Sequence, residues 1–172
     1  LRAEGLNAFN VVDIGAVSPA LLSTYDVAIL GEVSPLSGAQ VTALTGWVTA
    51  GGNLIAMRPD KQLAGLLGLS DLGETLADRY LEVNTTAAPG AGIVGETMQF
   101  HGTADLYAVV DATVVARLFS TATTPTTNPA VTVRSIGTAG GQAAVFTYDL
   151  ARSVVYTRQG NPAWAGQERD GF

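Results

Sequence analysis

Side chains able to do chemistry are sparse in this 172-residue chain, and the most suggestive of them stand just behind short apolar runs. Three segments share that placement: Asp13-Ile14-Gly15, Gly31-Glu32-Val33-Ser34 and Arg58-Pro59-Asp60. If the apolar runs are strands of an open sheet, these residues sit at the carboxyl ends, where α/β proteins bind ligands. Arg58-Pro59-Asp60 is the most informative, because it follows an apolar run and precedes a helical pattern, the position of a nucleophile elbow in hydrolases. It offers a cation and a carboxylate there instead of a serine or cysteine. Two readings follow. In the chemical one, Asp60 or Glu32 acts as general acid or base while Arg58 holds an anionic group; for glycoside chemistry the two carboxyl groups would stand about 5–9.5 Å apart. In the architectural one, Asp60 caps the following turn and Arg58 pairs with Glu32 across the strand ends. Asp13, and Gln159 and Asn161 in the closing stretch Thr157 to Trp164, are further candidates to line the same cleft.

Other chemistries are limited by what is missing. With no cysteine, the chain has no thiolate nucleophile, disulfide or thiolate zinc site, and its single histidine, His101, leaves no histidine-rich metal cluster. No G-x-S-x-G is present, and Gly102 beside His101 suggests a half-buried histidine at a turn. Gly90-Ala91-Gly92-Ile93-Val94-Gly95 matches G-x-G-x-x-G with Asp111 about 20 residues further on. A phosphate cradle must also follow a strand and open a helix, whereas here Ala87-Ala88-Pro89 precedes the glycines and β-prone Met98-Gln99-Phe100 follows. No cofactor is therefore expected. Asn84-Thr85-Thr86 fits the N-x-[ST] acceptor pattern and marks an exposed loop. Sugar binding without turnover would need exposed aromatic rings, for which Trp164, Tyr148 and Tyr156 are the candidates.

Nine Lys and Arg against 15 Asp and Glu give a net charge of −6, which offers no field for a nucleic-acid backbone. Apolar runs of a few residues fall well short of the about 20 that a spanning helix requires, so membrane insertion is not expected either. Hydrophobic residues make up 47% of the chain and charged ones 14%, a composition that favours one compact domain over disorder.

The elements that must hold these residues alternate in the first half. Leu1 to Asn7 reads as a last helical turn closed by Gly5, and Ala8 to Asp13 as a β-rich run. A brief helix opens at Ser18-Pro19, and Val27 to Gly31 and Asn53 to Met57 are buried strands. Between those strands a helix is expected after Ser34-Pro35, with Val41, Leu44, Trp47 and Val48 at helical spacing and Gly51-Gly52 at its end. Strand and helix in this alternation predict a parallel sheet with helices on its faces. From Ser70 to Ala77 the pattern is weakly helical. Strands are expected over Arg79–Val83, Met98–His101, Leu106–Val110, Val114–Phe119, Val131–Ile136, Ala143–Tyr148 and Ser153–Gln159, with an exposed loop over Ser120–Pro129. Gly137 to Gln142 reads as a hairpin turn.

The run DVAILGEVSPLSGAQVTALTGWVTAGGNLIAMRPD, with the later NPAVTVRSIGTAGGQAAVFTYDLARSVVYTRQGNPAW, resembles the class I glutamine-amidotransferase-like superfamily in its trehalose-utilisation-protein-like and β-galactosidase-trimerisation-like branches. That resemblance implies a flavodoxin-like, Rossmann-like three-layer α/β sandwich with a mostly parallel sheet and added antiparallel hairpins. One domain over residues 1–172 is expected, with Phe9–Asp13, Val27–Gly31 and Leu54–Met57 in its sheet. Because the helical remnant at Leu1–Asn7 needs a preceding strand, the first strand is expected from residues before Leu1, filling the slot between Phe9–Asp13 and Val27–Gly31, the alternative being that these two pair directly. Where active relatives carry the catalytic cysteine this chain has Arg58-Pro59-Asp60, and where they carry histidine and glutamate it has Gln159-Gly160-Asn161, so glutaminase activity is not expected. The expectation is a non-catalytic module of a larger secreted bacterial protein, with other domains of the same polypeptide or a carbohydrate-related ligand as partners. The alternative is a hydrolase of a small amide or sugar derivative working through carboxylates at the strand ends.

Overall fold

A computed structural model describes residues 1–2 and 5–160. Nine strands and three α-helices follow in the order α1 (Pro19–Leu22), β1 (Val27–Leu30), α2 (Gly38–Thr49), β2 (Asn53–Met57), β3 (Leu69–Ala77), β4 (Tyr80–Val83), β5 (Met98–Gln99), β6 (Thr103–Val109), β7 (Thr113–Thr121), β8 (Thr124–Ile136), β9 (Gly141–Phe146) and α3 (Leu150–Gln159) among the described residues. Seven strands form one sheet in the order β1-β2-β9-β8-β7-β4-β5, while β3 and β6 pair separately. Only β1, β2 and β9 run parallel, with Ile29 beside Ile55 and Ile55 beside Ala144. The pairs β9–β8, β8–β7, β7–β4 and β4–β5 are antiparallel.

This topology corrects the expected fold class. The molecule is mainly β, with a curled mixed sheet, and is not a mostly parallel flavodoxin-like or Rossmann-like sandwich. The strand-helix-strand rhythm of the first half does fold as a parallel unit, β1-α2-β2, but the second half supplies most of the sheet by hairpins. Phe9–Asp13 joins no ladder: Val11 is 82% exposed, and Asp13 accepts from the Gly15 amide to start a short 3-10 turn over Ile14–Ala16. β1 is consequently an edge strand.

Local chemistry explains several boundaries. α2 begins at Gly38 because Ser37, not Ser34, is its N-cap: Gln40 N donates to Ser37 Oγ and Ser37 N donates to Gln40 Oε1, a complete capping box. At the chain start, Gly5 N donates to Arg2 O and Leu6 N to Leu1 O, and Gly5 has φ 84°. Gly137 and Gly140 have φ of 65° and 87° in the β8–β9 turn, conformations that residues with a Cβ resist. Three stretches differ from expectation. Ser70–Ala77 is strand, paired to β6 across a register shift between Asp71 and Thr75. Ser120–Pro129 is not a loop, because β7 and β8 run through most of it and Asn128, Pro129 and Ala130 are buried. Ser153–Gln159 is helix, started by Asp149 accepting from Arg152 N at 2.9 Å.

Two apolar clusters fill the interior. Ala43, Leu44 and Val48 of α2 cover Leu30, Leu54, Ala56, Ala143 and Val145 on one face of the parallel strands, and Leu63, Leu67, Leu69 and Tyr107 extend this cluster. The second cluster joins Leu81, Phe100, Ala104, Ala116, Leu118, Ala130 and Tyr148. No described helix is long and apolar enough to cross a membrane.

Candidate functional site

Behind the carboxyl ends of β1 and β2 the sheet must turn into loops, and three of the sequence-selected residues meet there. The Arg58 amide donates to Phe146 O at 2.7 Å, which continues the β2–β9 ladder one residue past β2. That bond holds Arg58 at φ 40°, a left-handed conformation unfavourable for a side chain larger than glycine. Its guanidinium then spans two carboxylates. Nη1 donates to Glu32 Oε1 at 2.5 Å, Nε to Asp105 Oδ2 at 3.0 Å, and Nη2 to Asp105 Oδ1 at 3.4 Å. Asp105 is buried on β6, whose amide donates to Thr147 O just past β9, whereas the Glu32 side chain is 44% exposed. Burial opposes the charge on Arg58, but the hydrogen bonds and attraction from Asp105 and Glu32 outweigh it and raise its pKa.

Asp60, two residues on, is buried and fully occupied. Oδ1 accepts from Gln62 N at 2.9 Å, and Oδ2 accepts from Leu36 N at 2.8 Å and from the Ser34 hydroxyl at 3.2 Å. Desolvation pushes its pKa up, yet these donors dominate and hold it below the ordinary carboxylate value. One carboxylate thus pins the loop after β1 to the turn after β2. Beside it, Lys61 Nζ bonds Asp71 Oδ1 at 2.8 Å and ties the same turn to β3. Asp71 is likewise lowered, burial being overcome by Lys61 and the Gly73 amide.

Glu32, Arg58 and Asp60 are therefore brought together. No hydrogen bond or ion pair links Asp13 or Gln159 to them: Asp13 caps its own 3-10 turn, and Gln159 ends α3. Asn161 and Trp164 lie outside the described residues. Of the aromatic candidates, Tyr148 is buried in the second cluster, where desolvation pushes its hydroxyl up to about 12, and Tyr156 packs edge-on against His101. His101 is itself buried, more deeply than expected from its neighbouring glycine, and its backbone amide and carbonyl both bond the Ser153 hydroxyl. The G-x-G-x-x-G stretch is turn between β4 and β5 and opens no helix. Among the described residues no group of three or more His, Asp or Glu is placed to hold a metal ion.

Sequence reasoning missed Asp105 and Asp71. A signal existed for Asp105, since a carboxylate inside the apolar run Ala104-Asp105-Leu106-Tyr107 requires a buried partner. The partner lies 47 positions away in the chain, so nothing local names it.

Arg58 has little left to offer an anion, because its fork is spent on Asp105 and Glu32. The surface that remains is the outer edge of Glu32, an acceptor for hydroxyl or cationic groups.

No protein-family model and no curated protein sequence matches the chain. Solved structures do. The β-galactosidase from Rahnella sp. R3 aligns with a TM-score of 0.64 at 16% identity, over 90% of this chain and 25% of that one. The α-L-fucosidase isoenzyme 2 from Paenibacillus thiaminolyticus gives 0.65 at 15% identity, over 91% and 25%. The mmIFT52 N-terminal domain gives 0.66 at 14% identity, over 92% and 80%. The chain spans about a quarter of the length of these two glycosidases. Likeness at such identities establishes a shared fold. It also removes the amidotransferase resemblance, since two of these neighbours are glycosidases, none of the three is an amidotransferase, and the curled sheet is not the amidotransferase-like one.

Proposed function

We propose that this chain is an accessory domain of a carbohydrate-active protein, making contacts to neighbouring domains or holding a sugar-related ligand at the ends of β1 and β2 without turning it over. The observation that carries this reading is the engagement of the carboxylates there. A general acid needs a carboxyl group free to hold and release a proton in contact with substrate, and Asp60 spends its oxygens on Leu36, Gln62 and Ser34 while Asp105 is spent on Arg58. Glu32 alone keeps an exposed face, and one carboxylate is half of the glycosidase pair. Neutral hydroxyls, which can donate to Glu32, suit this surface better than an anion. The glycosidase neighbours support the carbohydrate setting, and a secreted location accords with it. The mmIFT52 domain, of the same fold, is a reminder that the fold by itself does not choose the ligand.

Titration of the isotopically labelled protein with galactose, fucose and their p-nitrophenyl glycosides tests the reading by NMR and absorbance together. Shifts confined to Glu32, Arg58 and their neighbours without p-nitrophenol release are expected. Release that disappears in Glu32→Gln or Asp60→Asn would establish the hydrolase alternative, and no shift with any sugar would overturn the ligand and leave the domain-contact role to be tested by co-purification with its flanking domains.

A further inference from the structure

The acceptor pattern at Asn84 begins just past the end of β4, which is separated from β2 in the sheet by β9, β8 and β7, and takes no part in the strand-end network. Of six asparagines, only this one begins N-x-[ST] with a residue other than proline in the middle. Two features go beyond the tripeptide. An acidic residue, Glu82, precedes the asparagine by two positions, giving Glu82-Val83-Asn84-Thr85-Thr86. Asn84 N donates to Val115 O at 2.8 Å, so the β4–β7 ladder continues through Asn84. Glu82 and Asn84 are therefore two apart on extended backbone and project from one face.

The tripeptide itself is folded for presentation. Asn84 Oδ1 accepts from Thr86 N at 3.1 Å and from the Thr86 hydroxyl at 2.6 Å, an Asx-type turn that sets hydroxyl and carboxamide side by side. Both of these bonds use the oxygen. No described group accepts from the side-chain Nδ2 of Asn84, and Asn84 and Thr86 are exposed at the start of the loop that leads to β5.

We infer that Asn84 is an acceptor for an N-linked glycan in the folded protein, read together with Glu82 and Thr86 by an oligosaccharyltransferase that recognises an acidic residue two positions before the asparagine. The donor is a polyprenyl-diphosphate-linked oligosaccharide. The Asn84 nitrogen forms a bond to the anomeric carbon, the bond from that carbon to the diphosphate oxygen breaks, the amide loses one proton to the transferase, and polyprenyl diphosphate leaves. Nothing is oxidised or reduced.

The test is incubation of the folded chain with such a transferase and its lipid-linked donor, followed by intact-mass measurement and peptide mapping. A synthetic peptide spanning residues 80–88 shows that the enzyme is active. One glycan mass at Asn84 is expected, with complete loss in Asn84→Gln and Thr86→Ala, retention in Thr86→Ser, and loss of most of the product in Glu82→Gln; far-UV circular dichroism confirms that each variant is folded. Modification of the peptide but not of the folded chain would overturn the inference. So would a mass gain that survives Asn84→Gln, or one indifferent to Glu82.

Discussion

Arg58 illustrates how one residue can be both strained and required. Its left-handed backbone costs about 1–2 kcal/mol for any side chain with a Cβ, and its guanidinium holds Asp105, which would otherwise be a buried carboxylate without a cation. Removing Asp105 and removing Glu32 should therefore differ. Asp105→Ala is expected to destabilise the protein by about 2–4 kcal/mol, as breaking a buried pair does, whereas Glu32→Ala, at the exposed end of the same fork, should cost under about 1 kcal/mol; urea unfolding of both variants measures the order. Arg58→Gly should be more stable than Arg58→Ala by about 1 kcal/mol, because both lose the ion pairs and only glycine escapes the strain. Asp60 gives a pH signature. Its pKa is lowered in the folded state, so its contribution is fully present above the unfolded carboxylate value of about 3.9 and is lost as pH falls through the lower folded value. Wild-type stability should thus decline more steeply than that of Asp60→Asn as pH falls below about 5, and a parallel decline in the two proteins would contradict the role given to its hydrogen bonds.

At the level of elements, the approach of α2 to β9 is fixed by a glycine. A Cβ at Gly141 would come within 1.8 Å of the Val48 carbonyl oxygen, backbone that cannot turn aside. Gly46, on the exposed side of α2, has nothing within 4 Å of its Cβ position. Gly141→Ala should therefore lower stability by more than about 2 kcal/mol through overpacking, while Gly46→Ala should raise it by up to about 1 kcal/mol through helix propensity; thermal midpoints of the two variants should move in opposite directions. The same contrast shows which elements were legible. α2 and the strands on either side of it carry their own signals: spaced apolar residues, a terminating glycine pair and short Val, Ile and Leu runs. Glu32, Arg58 and Asp60 were legible for the same reason, since they stand at the ends of readable strands. Ser70–Ala77 was not, because its strand state comes from pairing with β6, more than 25 positions later, and its own composition is indifferent. Ser153–Gln159 misled in the other direction, as Val154, Val155 and Tyr156 favour strands while Asp149 and the buried Ser153 fix a helix. Ser120–Pro129 reads as a loop from its Thr and Pro content, yet the Thr126 hydroxyl donates to Leu118 O and Asn128 reaches Tyr107 O, so tertiary bonds draw it into β8.

Over the whole molecule, the two apolar clusters raise the question of whether they unfold together. β9 answers it structurally, because its side chains alternate: Ala143 and Val145 belong to the cluster under α2, while Phe146 packs against the one around Leu118 and Tyr148. β8 is hydrogen-bonded to β9 on one side and β7 on the other, and the side chain of Asn128 on β8 reaches the backbone of β6. Losing either cluster would therefore expose the other face of the same strands and leave ladder groups without partners, at about 1–3 kcal/mol for each that stays buried. Leu54, in the first cluster, and Leu118, in the second, are both essentially inaccessible, so truncation of either to alanine should cost about 2–5 kcal/mol. The expected outcome is that Leu54→Ala and Leu118→Ala each move a single transition, with far-UV circular dichroism and the chemical shifts of Ala143 and Ala116, one from each cluster, reporting the same urea midpoint within a variant. If instead Leu118→Ala shifted the midpoint at Ala116 and left that at Ala143 in place, the strands shared between the clusters would not couple them, and the sheet would have to be treated as two separately stable halves.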